Sequence, residues 1–202
     1  MDTKEKILYQ ALDLFAKSGY NAVSVRDIAA SVGIKESSIY YHFQNKQDIL
    51  DSIAEKYEAH ISELTAVLSN ALSETDYSRP FSFDAIRTYY FGQYLFDPFC
   101  NQMMRFMMIE QLHNGKMQLL YQRCLFDLPE KIQTEAFLLM SRNGIMSRQQ
   151  AERIGYAFFS EMTALTFRYL LNGELTEEKK NLFCEKAFSF FETILKGDAE
   201  NG

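Results

Sequence analysis

Apolar residues recur every three to four positions along most of the chain, and polar residues fill the gaps. Ile7, Leu8, Ala11, Leu12, Leu14 and Phe15 share one face, which predicts a helix over 3–18. Asp2 or Thr3 can cap its start, and Gly19 ends it. Ser24-Val25-Arg26-Asp27 opens a second, short helix with a capping-box pattern. Val25, Ile28, Ala29 and Val32 are its inner residues, and Gly33 stops it. A third helix is expected from Glu36 to Phe43, anchored inward by Ile39 and Phe43. Asn45-Lys46-Gln47-Asp48 opens a fourth, which can run from 46 to about 70.

Ser-Glu-Thr-Asp-Tyr-Ser-Arg-Pro over 73–80 reads as a polar loop. Helices are then expected near 82–95, 98–113, 116–126, 130–142, 148–172 and 177–196. Asp97-Pro98, Gly115, Pro129, Asn143-Gly144, Asn172-Gly173 and Gly197 punctuate them. Ser147 with Gln150, and Thr176 before two glutamates, are further N-cap signals. Strand-like alternation is missing, so the fold class is all-α. The expected organisation is an N-terminal three-helix unit over 1–46 and a C-terminal helical domain over 47–202.

Two short helices joined by a glycine-containing turn form a helix-turn-helix pattern. In such a pair the second helix enters the major groove with its N-terminal residues nearest the bases. Here that helix offers Lys35, Ser37, Ser38, Tyr41 and His42 outward. Serine hydroxyls bond bases or phosphates, and Tyr and His reach phosphate oxygens. Lys46 and Ser24 each sit at a helix N-terminus, where free backbone N–H groups favour a phosphate. For Ser24 a purely local capping role is the bland alternative.

Gly19-Tyr20-Asn21-Ala22-Val23-Ser24-Val25-Arg26-Asp27-Ile28-Ala29, then Val32-Gly33-Ile34, then Ser38-Ile39-Tyr40-Tyr41-His42-Phe43-Gln44-Asn45-Lys46 and Leu50 resemble the N-terminal domain of the TetR family. The resemblance covers about residues 3–50. It implies a homodimeric transcriptional regulator, usually a repressor, released from DNA by a small ligand held in the C-terminal domain. Carried over by position, it implies DNA contacts from Ser24, Arg26, Lys35, Ser37, Ser38, Tyr40, Tyr41, His42 and Lys46. Tyr40 as mainly core packing is the alternative for that residue. Two positions depart from the family pattern. Lys35 stands where a capping Ser or Thr is frequent, and Glu36 stands where a basic residue is common. Glu36 either pairs with Lys35, accepts from a cytosine amino group, or repels phosphate.

The C-terminal part is rich in rings. Tyr89, Tyr90, Phe91, Tyr94, Phe96, Phe99 and Phe106 fall close together, and Met103, Met104, Met107 and Met108 form one helical stripe. Methionine adapts its shape and aromatic rings make broad walls, so Tyr89, Tyr90, Tyr94, Phe99, Met103, Met104, Met107 and Met108 are candidates to line a pocket for a hydrophobic or aromatic effector. Plain core is the competing reading. The 148–172 helix is apolar on two faces and calls for burial on both sides. With the last helix it suits a four-helix dimer interface using Phe158, Glu161, Leu165, Arg168, Phe183, Ala187, Phe190 and Phe191. Glu161 and Arg168 could pair across it or reach solvent. Two recognition helices must meet grooves about 34 Å apart, so a dimer calls for a palindromic operator on double-stranded DNA. The 46–70 helix is the expected relay between effector and reader.

Charge refines this picture. The net charge is -6, which is unusual for a DNA binder. In residues 1–50, however, Lys4, Lys6, Lys17, Arg26, Lys35 and Lys46 balance Asp2, Glu5, Asp13, Asp27, Glu36 and Asp48, and the whole acidic excess lies further on. Only the N-terminal part is a credible partner for a polyanion, and nonspecific binding should be weak. Cys100, Cys124 and Cys184 are far apart, as expected of a reduced, cytoplasmic protein. The charged N-terminus lacks a signal-peptide core, and no apolar run of about 18 residues is present, so no membrane association is expected. Glu110-x-x-His113 has the spacing of a di-iron ligand pair but has no second copy. Without a phosphate loop or metal-spaced Cys/His set, no cofactor, metal or catalytic residue is expected, and a helical metal-dependent enzyme is the remote alternative. The nearer alternative is a ligand-independent DNA-binding organiser whose C-terminal domain binds a protein partner.

Overall fold

The computed structural model describes the backbone of residues 1–75 and 86–199, with side chains described up to residue 194. These residues are helical, with no strand among them. They divide into two compact units. The first comprises Met1–Glu63 with Pro98–Tyr121, and the second Leu64–Asp97 with Gln122–Gly202.

The first unit is built on α1 (Thr3–Ser18), α2 (Val25–Val32), α3 (Glu36–His42) and the opening of α4 (Lys46–Ser73). Asp2 caps α1 by accepting from the Glu5 N–H, and Gly19 ends it at φ 79°. Ile7, Leu12, Phe15, Ile28, Ile39, Phe43, Ile49 and Leu50 are essentially inaccessible and form the core. The division expected at residue 46 is not where the units part, because Ile53, Ala54 and Tyr57 of α4 are buried in the first unit as well.

Two further helices, α5 (Pro98–Glu110) and α6 (Gly115–Gln122), contribute to this unit. Phe99 meets Tyr9 edge-on at 5.3 Å, and Phe106 meets Phe15 at 5.6 Å. Gln102 donates to Asp13, and Lys116 pairs with Asp51 at 3.1 Å. The helix expected over 98–113 stops at Glu110, and Asn114 caps α6 by accepting from the N–H groups of Lys116 and Met117.

The second unit holds the end of α4, an unusually wide helical segment over Ile86–Leu95, and the helices α7 (Leu128–Arg142), α8 (Arg148–Leu165) and α9 (Glu177–Ala199). Ser147 and Gln150 form the capping box that starts α8. α8 lies close against α7, where a Cβ on Gly155 would come within 3.2 Å of the Thr134 Cα. Phe137, Phe158 and Phe191 close a ring cluster with centroids 5.6–6.2 Å apart. Phe91 and Phe183 meet at right angles at 5.0 Å.

The helices expected over 116–126 and 148–172 both end in wide turns, Arg123–Asp127 and Thr166–Leu170. There the N–H bonds five residues back, as Leu171 does to Thr166 at 3.0 Å. The Tyr94 hydroxyl donates to the Cys124 carbonyl, and Phe126 stacks on Phe167. The polar loop from 76 onward and the start of the helix expected over 82–95 lie outside the described residues.

Several expected roles change with this packing. Of the residues assigned to a dimer interface, Phe158, Leu165, Phe183, Ala187 and Phe191 are buried inside one chain. Phe158 meets Phe137 and Phe191, and Phe183 meets Phe91. Glu161 and Phe190 are half-buried and Arg168 is exposed, while Tyr156 on α8 is 64% exposed. Of the residues assigned to a pocket, Phe99, Met103, Met104 and Met107 are buried in the first unit, where α5 packs on α1. Tyr90 and Tyr94 are buried in the second, with Tyr90 accepting from Gln133. Tyr89 and Met108 are half-buried.

Candidate nucleic-acid interface

The Ser24 hydroxyl accepts from the Asp27 N–H and donates to the Asp27 carboxylate, which in turn accepts from the Ser24 N–H. This reciprocal box starts α2 and holds the Asp27 carboxyl below its ordinary value, the Ser24 side-chain bond being the largest cause. α2 ends at Gly33 in the left-handed region, φ 76° and ψ 32°, where a side chain would be strained. The Gly33 N–H returns to Ala29 and Ala30, so the chain reverses tightly and α3 begins three residues later. Lys35 occupies the N-cap of α3 without a side-chain bond, as its sequence position implies.

On α3, Ile39 is inaccessible and Phe43 nearly so. The opposite face is open. Glu36 and Ser37 are exposed, Ser38 is half-buried, Tyr40 is 52% exposed and Tyr41 is 87% exposed. Core packing is therefore not what holds Tyr40. His42 is half-buried with its ring perpendicular to Tyr41 at 5.2 Å. Lys35 is exposed, and no ion pair joins it to Glu36 among the described residues. Arg26 is exposed on α2. Eight of the nine expected contact residues thus present at least part of their side chain on the α2–α3 pair. The ninth, Lys46, is spent differently.

The Lys46 ammonium donates to the carbonyls of Tyr20 at 2.8 Å and Val23 at 2.7 Å, and lies 4.1 Å from the centre of the Tyr20 ring. Two of its three protons hold the turn between α1 and α2, so its leading role is to position that turn. Tyr20 is the centre of this arrangement and is not evident from residue type alone. Its hydroxyl pairs with Gln47, its ring sits 5.3 Å from Phe15, and its N–H donates to Glu110 of α5 at 2.8 Å. Burial, then the charges of Asp51 and Glu110, push the Tyr20 hydroxyl up from its ordinary value. The Glu110–His113 spacing is consequently no ligand pair: Glu110 is 5% exposed and bonded to Tyr20, and His113 faces solvent. A signal for Glu110 was present in the sequence. It continues the buried stripe of Met103, Phe106 and Met107, where an acid is out of place.

In the second unit, Ser69, Leu72, Ser73, Ile132, Glu135, Leu139 and Arg142 line an open cleft of about 290 Å³. None of the aromatic and methionine residues expected to line a pocket belongs to it. Its walls join three aliphatic side chains to one cation, one carboxylate and two hydroxyls.

A capped helix, a glycine turn and a second helix with an anchored inner face and an open polar-aromatic outer face form a helix-turn-helix. Residues 7–53 match the family model for bacterial regulatory proteins of the tetR family. IcaR of Staphylococcus aureus, a negative transcriptional regulator of the biofilm operon icaADBC, is 34% identical over 94 residues, which is 46% of this chain and 46% of that protein. IcaR of Staphylococcus epidermidis is 46% identical over 46 residues, 23% of this chain and 25% of that one. The chain thus matches less than half the length of these curated relatives. A TetR-family regulator from Mesorhizobium loti shares the fold with a TM-score of 0.66 at 15% identity, over 96% of this chain and 95% of that one. A transcriptional regulator from Saccharomonospora viridis, solved in complex with choline, does so at 0.65 and 19%, over 94% and 95%. No helix among the described residues is long and apolar enough to cross a membrane.

Proposed function

We propose that the protein is a transcriptional repressor that binds a palindromic operator as a homodimer and is released by a small effector. One observation carries the DNA-reading part. α3 keeps its inner face in the core through Ile39 and Phe43 while leaving Ser37, Tyr40 and Tyr41 open to a groove. Ser24, Arg26, Lys35, Ser38 and His42 complete the contact surface, with Ser24, Lys35 and Arg26 directed to phosphates. Lys46 supports them from behind and has one proton left for a phosphate.

The repressive sign follows the negative regulator that the N-terminal half resembles. The dimer surface on α8, the wide turn after it and α9 centres on residues left open by the chain's own core, Tyr156 and Arg168 foremost, with Glu161 and Phe190 at its edge. The effector site we infer is the cleft between the end of α4 and α7, not the methionine stripe. Its size suits a small molecule, and Arg142 with Glu135 beside Leu72 and Leu139 suits an amphipathic one. Effector binding lowers DNA affinity by a coupling energy, typically about 1–3 kcal/mol. Cytoplasmic placement accompanies this function.

Close packing of Tyr90, Tyr94 and Phe99 favours the second reading, a regulator without an effector whose second unit binds a protein partner. Selection of bound sequences from random DNA, repeated with amphipathic small molecules, separates the two. The repressor reading expects an inverted repeat and at least one compound that weakens binding. A repeat-free or unselective pool refutes the dimeric reader. An inverted repeat that no compound displaces turns the conclusion to the partner-binding form.

A further inference from the structure

The most unusual placement in the first unit is a carboxylate. Glu110 is 5% exposed, and it is the only acidic side chain among the described residues in the buried class. Removing a carboxylate from water is costly unless fixed donors replace the water. Its Oε1 accepts from the Tyr20 N–H at 2.8 Å. A Cβ on the preceding Gly19, whose φ is 79°, would come within 3.3 Å of that same oxygen and 3.6 Å of Ile109. The carboxylate and the turn are therefore in close fit.

The other side of Tyr20 is held by the opposite charge. Lys46, at the first position of α4, donates to the Tyr20 carbonyl and again to the Val23 carbonyl. An anion from α5 grips the N–H of Tyr20 and a cation from α4 grips its C=O. Four residues after Tyr20 comes Ser24, the N-cap of α2 and a proposed phosphate contact. The backbone bond within the turn, from the Val23 N–H to the Tyr20 carbonyl, is long at 3.4 Å. Two charged side chains thus hold the peptide groups of Tyr20 on the way into α2.

We propose that Glu110 is a positioning residue for DNA recognition. From α5 it clamps the Gly19–Tyr20 turn against Lys46, and so fixes where α2, and α3 behind it, meet the operator. This rests on the DNA-reading function above. It assigns to α5 a duty that the helix-turn-helix match over 7–53 does not contain. A neutral N–H acceptor alone would satisfy Tyr20, which gives the test its rescue variant.

The full-length protein is compared with E110M, which fills the space without an acceptor, with E110Q, which keeps one, and with H113A as an exposed neighbour. The readouts are amide hydrogen exchange over residues 19–29, the thermal midpoint, and affinity for DNA selected by the wild type from a random pool. E110M is expected to raise exchange across 19–29 and to weaken DNA binding about tenfold or more. Exchange in α7 and α8 stays at the wild-type level. E110Q recovers most of both losses, and H113A shows neither. Wild-type exchange or wild-type affinity in E110M overturns the proposal. Equal losses in E110Q and E110M also overturn it, since the acceptor then does nothing. If E110M does not fold, G19A crowds the same oxygen from the turn side, and unchanged exchange over 19–29 in that variant overturns the clamp. A wild-type protein that enriches no DNA refutes the DNA-reading function. That failure is distinct from failure of the clamp, because exchange is read without DNA.

Discussion

The two units use their aromatic side chains in opposite ways. In the second unit Phe91, Phe137, Phe158, Phe183 and Phe191 interlock at centroid distances of 5.0–6.2 Å and are almost wholly buried. In the first, Tyr40 and Tyr41 stand open on α3 while Phe15, Phe43 and Phe106 hold the helices beneath them. Rings in the second unit supply cohesion. In the proposed function, rings on α3 supply contact area at low entropic cost, because a tyrosine has only two rotatable side-chain bonds and carries a polar end. Deleting a ring should therefore mean loss of fold in one place and loss of binding in the other.

The sharpest break of that contrast is Phe158→Ala. Phe158 is 1% exposed and meets both Phe137 and Phe191. The lost contacts and the cavity should cost about 3–5 kcal/mol, read as a large fall in the denaturant midpoint. A fall under about 1 kcal/mol would mean that α7, α8 and α9 repack freely and that the cluster is not the second unit's core.

Lys46→Met comes next, because it tests whether this lysine is structural or electrostatic. Two charge-assisted bonds to the Tyr20 and Val23 carbonyls are lost. A hydrogen bond to a charged group contributes about 1.5–3 kcal/mol, and partial exposure lowers the net cost to about 2 kcal/mol. Stability and DNA affinity should fall together. Affinity lost at unchanged stability would make Lys46 a phosphate contact after all.

Tyr41→Ala has the opposite signature. At 87% exposure the ring supports nothing in the free protein beyond its edge contact with His42. The thermal midpoint should be unchanged, while affinity for selected DNA falls about tenfold, which is about 1.4 kcal/mol. A destabilised protein with unchanged affinity would reverse the assignment of α3's two faces.

The contrast also explains what could be read in the sequence. α1 and α2 start and end where Asp2, Gly19, Ser24 and Gly33 put them, because caps and glycine turns are local and each needs a particular residue. The wide turns at Arg123–Asp127 and Thr166–Leu170 carry no such punctuation, so two continuous helices were the natural expectation. Periodicity marked Met103, Met107, Phe158 and Phe183 as buried, and they are. It contains nothing about which surface does the burying, so core, pocket and dimer seam stay open as readings of the same pattern. Lys46 was legible as a cation at a helix start, but its direction depends on Tyr20 and Val23, more than twenty residues away. Glu110 stood out only for its spacing to His113, because its partner Tyr20 is ninety residues distant.

The smallest effect concerns the capping box, and pH tests it. Ser24→Ala removes the N-cap acceptor of α2, typically about 1 kcal/mol. The fold should survive this, since Ile28 and Ala29 keep α2 anchored. The Asp27 carboxyl is held below its ordinary value chiefly by the Ser24 side-chain bond, then by the Ser24 backbone N–H. A group whose folded value is depressed binds fewer protons folded than unfolded. Its stabilisation is fully present above the unfolded value, about 3.9, and is lost as pH falls through the lower folded value. The gap between wild type and Ser24→Ala should therefore be constant from neutral pH down to about 5 and narrow below about 4. Paired denaturant titrations at neutral and acidic pH measure it. A gap that widens in acid would mean that protonated Asp27 is the better partner and that the box does not favour the carboxylate. A gap that disappears at neutral pH would leave Ser24 free for a phosphate alone, which is the one outcome that separates its two duties.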